Sequence, residues 1–381
     1  MDFNKRALAL HRKNKGKIEI KSKVSVKTKN DLSTVYTPGV GAVSLAIAKD
    51  KKASFLLTNR SNTIAIVTDG SAILGLGNIG PEAGMPVMEG KSIIFKEFAG
   101  VDAIPLCINT QDAEEIIKFC KYIEPSFSGI NLEDISAPRC FTILERLEKE
   151  LTIPVFHDDQ DGTAIVITAA LINACRATNR VLRELNIVIN GAGAAGLAIA
   201  NLLLCHGIKN IILLDSQGIV YQGRAKMNPY KSRIALKTNK NKIRGDLTKA
   251  LAGADVFIGV SVGKVLKKNV IKLMNQEPII FAAANPIPEI IPKDAIAAGA
   301  SIVGTGRSDF PNQINNALAF PGVFRGLLDG HFSNFTLKMK ASAAIALAYT
   351  IKKPTKSRIL PNIKDKNVVK AIAEAIKTCN N

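Results

Sequence analysis

The sequence predicts an α/β protein made of two parallel-sheet units in series. Three observations predict it. Short β-branched apolar runs recur along the chain, helical patterns separate them, and one run passes through a glycine-rich turn directly into a long helix.

The elements follow in order. Residues 1–30 are polar and basic, with a short helix expected near 2–13. The run TIAIVT at 63–68 is apolar and β-branched, as a buried strand requires, and 103–108 repeats the pattern. A helix at 111–123, a strand at 129–132, a helix at 138–150 and a strand at 154–156 continue a βαβ rhythm, hence a mostly parallel sheet. Residues 163–179 read as a long apolar helix connecting two halves. Strands are then expected at 186–190, 210–214, 255–260, 279–283 and 301–304, with helices between them. The Lys-rich stretch 222–244 reads as a surface excursion, and 366–378 as a terminal amphipathic helix. The expected domains are 1–160 and 161–381, the second a doubly wound unit with added C-terminal helices.

Composition narrows the function classes. The 381 residues are 47% hydrophobic and 22% charged, which describes a globular chain. The net charge is +19, but the basic residues are spread out, with denser runs at 12–29 and 226–244, and no nucleic-acid motif accompanies them. The absence of Trp argues against an aromatic platform for single strands. A Lys-biased solvated surface that attracts small anions is the simpler reading, so no nucleic-acid partner is expected. The six cysteines form no CxxC pair and lie mostly in apolar segments, which fits reduced thiols. The N-terminus lacks a secretory apolar core and no run reaches the ~18 residues of a membrane span, so a cytoplasmic, membrane-free protein is expected.

Two segments match GxGxxG, and a lone match is a weak signal. Gly191-Ala192-Gly193-Ala194-Ala195-Gly196 follows the strand LNIVIN and opens the helix AAGLAIANLLLCHG. Its free N–H groups suit a pyrophosphate, and the next strand ends in Asp215, where a ribose-binding acid belongs. This turn is the expected dinucleotide site. Asp215 favours NAD over NADP by repelling a 2′-phosphate, although Arg224, Lys226 and other cations lie a little downstream and could fold back. The other match, Gly75 to Gly80, is followed by Pro81, Gly84 and Pro86. No long helix and no clean βαβ continuation are expected there, only a loop shaping an active-site wall.

Acids stand at the ends of predicted strands. Glu133 and Asp134 follow GINL, and Asp159 ends VFHDD. Converging at a strand edge they would repel one another unless a hard cation such as Mg²⁺ or Mn²⁺ sat among them. From spacing alone, helix N-caps and solvated loop acids are the simpler reading. His157 reads as a packed histidine. Lys91, after Met88-Glu89-Gly90, is expected to open the helix SIIFKEF, where the dipole and a nearby metal would lower its pKa toward that of a general base, with Asp158 holding it. A solvated lysine is the plainer alternative. Tyr36, in an extended turn-ended segment, is either a proton donor or a packing residue.

The segments YTPGV, VTDGSAILGLGNIGPEAGMPVMEGK, INLEDISAP, VFHDDQDGTA, INGAGAAG and FPNQINNALAFPG, in this order, resemble the malic enzyme family, in particular its compact bacterial form, over about residues 7–330. The resemblance implies an N-terminal α/β malic-type domain joined to a Rossmann-type NAD(P)-binding domain. It implies oxidation and decarboxylation of malate to pyruvate with NAD or NADP and Mg²⁺ or Mn²⁺, by a homo-oligomer such as a dimer. It implies Tyr36 as proton donor, Lys91 as general base, Asp158 as the lysine's support, and Glu133, Asp134 and Asp159 as metal ligands. Asn285 and Asn315 or Asn316 would line the substrate and nicotinamide crevice. Two departures stand out. Asp161 replaces a usual His, and Ala72 stands where larger members carry a substrate-binding Arg. A malolactic-type enzyme, a dinucleotide sensor without catalysis and, more distantly, a nucleic-acid binder are the competing readings.

Overall fold

The computed structural model describes residues 3–379. Helices α1 (Phe3–Asn14), α2 (Lys29–Val35), α3 (Val40–Lys49) and the short α4 (Ser54–Leu57) precede the first strand. The first three carry no buried residue, and Leu8, Leu32, Val43 and Leu45 face outward. Among the described residues, no helix is long and apolar enough to cross a membrane.

The first sheet comprises β1 (Thr63–Thr68), β2 (Asp102–Cys107), β3 (Ile130–Leu132) and β4 (Val155–His157), interleaved with α5 (Pro81–Ala99), α6 (Ala113–Ile123) and α7 (Arg139–Glu150). Its order is β2-β1-β3-β4, all parallel. Every residue of β1, β3 and β4 is buried, as a parallel sheet covered on both faces demands. A π-helical turn, Asp158–Gly162, leads from β4 into α8 (Thr163–Thr178). Residues 164–175 of α8 are all buried, so the helix forms a spine between the halves. Asn173 within it donates to the carbonyls of Ala348 and Ile359 at 2.8 and 2.9 Å.

The second sheet contains β5 (Ile187–Asn190), β6 (Ile211–Asp215), β7 (Gly218–Ile219), β8 (Val256–Gly259), β9 (Ile279–Ala282) and β10 (Ile302–Thr305). Helices α9 (Ala194–Cys205), α10 (Pro229–Ala235), α11 (Leu247–Leu251), α12 (Lys268–Ile271) and α13 (Pro292–Ala297) connect them. The order is β10-β9-β8-β5-β6-β7, with only the short β7 antiparallel. β5 lies between β6 and β8, so the winding reverses at its C-terminal end, where open α/β sheets take their ligands. The closing helices α14 (Phe320–Asp329), α15 (Leu337–Tyr349) and α16 (Lys366–Lys377) reach back to the first sheet. Phe320 and Phe324 meet Phe95 of α5 at ring centroid distances of 4.7 and 5.3 Å, and Phe324 packs on Phe156 of β4 at 5.6 Å. One apolar core thereby runs through both halves.

Two expectations are corrected here. A long helix does start at the first glycine motif: α5 has 19 residues, and β1-α5-β2 is a complete parallel βαβ unit. Pro81 sits at the first helical position, where its missing N–H had no partner to lose. Pro86 forfeits only one backbone bond of the helix. The two glycine motifs differ instead in loop length, since residues 69–80 separate β1 from α5 whereas 191–193 separate β5 from α9. The stretch 222–244 is also more than a surface excursion. It buries Ile234 and Ala235 of α10, and it joins the halves through Tyr230 and Thr142 hydroxyls at 2.8 Å and Arg233 and Glu145 at 2.6 Å.

Candidate active site

Lys91 lies in the middle of α5, on its buried face with Gly84, Met88, Ser92 and Phe95. These positions recur at helical spacing, so the same periodicity that packs Phe95 carries the lysine inward. Its Nζ lies 2.5 Å from Asp158 Oδ2, 2.5 Å from Glu133 Oε2 and 4.4 Å from the Phe320 ring centroid. The expectation that Lys91 opens a helix is therefore overturned, and no helix terminus acts on its pKa. Burial does disfavour the ammonium, but the two carboxylates outweigh it and hold the pKa above the ordinary lysine value.

The acids come from the C-terminal ends of adjacent parallel strands, Glu133 and Asp134 from β3, Asp158 and Asp159 from β4. One oxygen from each of Glu133, Asp134 and Asp159 lies within 4.8 Å of the others. Asn131 donates to Glu133 Oε2 at 2.9 Å, and the Asp134 N–H donates to Asp159 Oδ2 at 3.0 Å. Asp134 holds a left-handed backbone, φ 53°, which turns its side chain out of the strand path. Burial first, then mutual repulsion, pushes Asp134 up to about 9 and Asp159 up to about 6, and moves Glu133 upward despite Lys91. Burial likewise pushes Asp158 up to about 7. Asp134 Oδ2 is buried with no hydrogen-bond partner, whereas Asp159 is 34% exposed and leaves the cluster an open side. An oxygen-only set, repulsive in itself and open on one side, fits a hard divalent cation that keeps some water.

The neighbours have plainer roles. His157 is fully buried, and burial pushes it down to about 4, so it stays neutral as a packed residue. Asp161 does not present a bare charge beside these acids, because Lys340 of α15 pairs with it at 2.7 Å. Asn316 donates its amide to the same Asp158 oxygen that Lys91 contacts. Asn315 is used locally, accepting from the Ala317 N–H at 2.9 Å. Tyr36 is not in an extended segment: it caps the C-terminal end of α2, 67% exposed, with backbone bonds to Leu32 and to Val40, where α3 begins. Within one chain the structure does not bring it into the buried cluster. Sequence reasoning missed Asp69, which accepts from Arg139 Nε at 3.0 Å and from Ser71 Oγ at 2.5 Å. Ser71 in turn accepts from the Ser136 N–H at 2.9 Å, which fixes the loop after Asp134. An acid ending β1, in Asp69-Gly70-Ser71, was the available signal.

In the second half, Gly191 has φ 129°, and a Cβ there would lie 2.5 Å from the Val260 carbonyl oxygen. A Cβ on Gly196 would lie 1.7 Å from the Gly191 oxygen, so helix and turn touch there. Gly193 faces open space, with nothing within 4 Å of its Cβ position. Gly191, Ala192 and Gly193 line a crevice of about 740 Å³ together with Asp215, Ser261 and, from the first half, Pro138. Ala194 and Ala195 begin α9 and turn its first free N–H groups to the same end. Asp215 receives Arg224 at 2.5 Å and Lys231 at 2.6 Å, and although burial opposes it, these partners hold its pKa well below the usual range. Arg224 does fold back, joined by Lys231 and not Lys226, and the pair offsets the charge on which rejection of a 2′-phosphate would depend. Asn285 is exposed before a cis proline, and its carbonyl lies 2.3 Å from where a Cβ on Gly75 would stand. The first glycine loop thus abuts the second half at Asn285.

Comparisons with known proteins agree with this architecture. The family model "Malic enzyme, N-terminal domain" matches residues 14–148, and "Malic enzyme, NAD binding domain" matches residues 160–380. The chain is 50% identical over 379 residues to a bifunctional malic/malolactic enzyme of Bacillus subtilis, covering 99% of this chain and 92% of that one. It is 48% identical over 337 residues to an NADP-dependent malic enzyme of Rhizobium meliloti, covering 87% of this chain and 44% of that longer protein. The crystal structure of an NAD-dependent malic enzyme from Thermotoga maritima superposes with a TM-score of 0.95 at 48% identity, covering 98% and 99% of the two chains. By sequence over nearly its whole length and by fold, the chain belongs to the malic enzyme family.

Proposed function

We propose that this chain performs the metal-dependent oxidative decarboxylation of malate to pyruvate and CO₂, with reduction of NAD⁺ or NADP⁺. The observation that carries this reading is the double use of Glu133. Its carboxylate contacts Lys91 at 2.5 Å and also belongs to the trio with Asp134 and Asp159. A proton-transfer group and a cation site thereby share one side chain.

Glu133, Asp134 and Asp159 would hold Mg²⁺ or Mn²⁺, and the cation would supply Lewis acidity toward the C2 oxygen of malate, where negative charge gathers as CO₂ leaves. Lys91 takes the C2 hydroxyl proton as hydride passes from C2 to the nicotinamide. To act it must be neutral, its proton having passed to solvent on the open side of the cluster, and a cation held by Glu133 would weaken the pairing that keeps that proton on it. Asp158, itself bonded by Asn316, keeps Nζ in place. Asn285 and Asn315 would line the substrate and nicotinamide side. Tyr36 returns a proton to C3. Its exposed arm, with an uncovered apolar face, supports a homo-oligomer, a dimer in the simplest case, and pairing gives Tyr36 a route to a cluster that its own chain does not offer. The six cysteines are free, which supports a reducing, cytoplasmic setting.

The test is absorbance at 340 nm with malate and Mn²⁺, run with NAD⁺ and with NADP⁺, with and without chelator, alongside pyruvate detection. No pyruvate with either cofactor would end this reading. The Bacillus subtilis relative's name favours a malolactic activity as second reading, and lactate formed without net NADH would select it.

A further inference from the structure

Glu289 takes no part in the chemistry above, yet it is fully buried at the end of the second sheet. Its Oε1 accepts the Ser261 N–H at 3.2 Å and its Oε2 accepts the Ala284 N–H at 3.1 Å. Ser261 follows β8 and lines the crevice, whereas Ala284 follows β9 and precedes Asn285. One carboxylate therefore spans two loops. Backbone bonds from Lys264 to Pro288 at 3.0 Å and from Leu266 to Glu289 at 3.1 Å continue the seam. Gly259 is the residue that admits the carboxylate, since a Cβ there would lie 2.3 Å from Glu289 Cδ. On one side Asn190, at the start of the Gly191 turn, donates to Ser261 Oγ at 2.9 Å. On the other, the Asn285 carbonyl meets the Gly75 loop of the first half.

Two N–H donors face two oxygens, a pattern that the ionised carboxylate satisfies most strongly. Protonation leaves one oxygen a weaker acceptor and removes the charge that strengthens both bonds, and a glutamine turns an NH₂ toward one donor, so the clamp loosens in either case. We propose that Glu289 is a positioning residue for the dinucleotide: its ionised carboxylate holds the 260–266 and 284–288 loops at the spacing that receives the cofactor, and protonation lets them part. This rests on the reading of the crevice as the NAD(P) site.

The surroundings place that protonation in a useful range. Burial pushes Glu289 up to about 7, against the pull of the N–H groups of Ala284, Glu289 itself and Ser261. No side-chain charge offsets it. Lys264 on the β8 loop is exposed, and Lys268 of α12 is engaged with Asp294 of α13 at 2.7 Å. Because the cofactor favours the ionised form, affinity should fall as pH drops through about 7 and level off above it.

The experiment is NADH binding to the full chain by fluorescence titration at pH 8.5 and 6.0, for wild type and Glu289→Gln, with Mn²⁺ binding by electron paramagnetic resonance as a control on the first half. Wild type should bind roughly tenfold more weakly at pH 6.0, and Glu289→Gln should be roughly tenfold weaker at pH 8.5 with little further change on acidification, while at each pH the two proteins bind Mn²⁺ equally. Equal affinity of the two proteins at pH 8.5, or the same pH dependence in both, overturns the assignment. Pure wild type whose Kd does not move between the two pH values overturns it without any variant. Absence of NADH binding by wild type at either pH overturns the crevice reading itself.

Discussion

The two halves each place a glycine-rich turn after a buried parallel strand, and they put it to opposite uses. In the first half the turn is drawn out over residues 69–80 before α5 begins, and what the helix delivers is a side chain, Lys91, into a buried nest of acids. In the second half only 191–193 intervene, and what the turn delivers is main chain, the free N–H groups of α9 beside an open crevice. The difference teaches that the number of residues between strand and helix, more than the glycines, separates the two sites. It also divides the labour. The first half should fail when a charged side chain is removed, and the second when a backbone approach is blocked.

The sharpest break in that division is Lys91→Ala. Proton-transfer groups contribute typically ~10²–10⁴-fold, so kcat should drop by that much while NADH binding is unchanged. Turnover near wild type removes Lys91 from the role, and a lost NADH affinity would show that the halves are not independent. Next comes Tyr36→Phe, for which a loss of about 10²-fold in pyruvate formation is expected, with enolpyruvate reduction slowed alongside. Mixing Tyr36→Phe with Lys91→Ala chains tests where the phenol acts. Recovered activity in the mixture means that it serves a partner's cluster, and no recovery confines it to its own chain.

In the second half, Gly193→Ala is the matching probe. Its backbone, φ −99° and ψ −156°, suits alanine, and the added methyl meets nothing in the protein. Melting should be unchanged, yet the methyl enters the space proposed for the pyrophosphate, and NADH affinity should fall by about tenfold or more, or roughly 1.4 kcal/mol. Gly196→Ala, by contrast, drives a methyl against the Gly191 carbonyl and should lower stability as well. Unchanged NADH affinity in Gly193→Ala would move the dinucleotide elsewhere.

Most of the scaffold was legible in the sequence because buried parallel strands need β-branched apolar runs, and residues such as Ile64–Val67 and Ile187–Ile189 have few other uses. The acids at strand ends were legible for the same reason, once the strands were placed. The course of α5 was not, because Pro81 and Pro86 were read as breakers although one of them stands at a first helical position. The buried spacing of Gly84, Met88, Lys91 and Phe95 was there to be read and would have placed the lysine mid-helix. One charge partner was hidden more deeply. Lys340 reaches Asp161 through a tertiary contact that no local spacing encodes, whereas the cations that fold back on Asp215 lie a little downstream of it and were legible.

The smallest expected effect sharpens the comparison from the side of stability. Burial, with Asp159 and Glu133 nearby, raises Asp134 to about 9, above the ~3.9 of an unfolded aspartate. The native chain thus binds this proton more tightly than the unfolded one. The stability it contributes is fully present below about pH 4 and is lost as pH rises toward about 9. Asp159, Asp158 and Glu133 shift in the same direction and add slope of the same sign, and Asp134 extends the fall toward about 9. Cation-free protein should melt lower at pH 9 than at pH 7, and Mn²⁺ should restore the difference, because a bound cation replaces the proton as the compensating charge. Asp134→Asn removes the ionisation. Without cation it should melt above wild type at pH 9, and Mn²⁺ should no longer raise it. Gly193→Ala should follow wild type throughout, since the added methyl meets nothing in the protein and touches none of these acids. If cation-free Asp134→Asn instead melts below wild type at pH 9, the acids of the first half are held by contacts that outweigh their repulsion, and the contrast between a strained charge nest and a relaxed main-chain crevice fails.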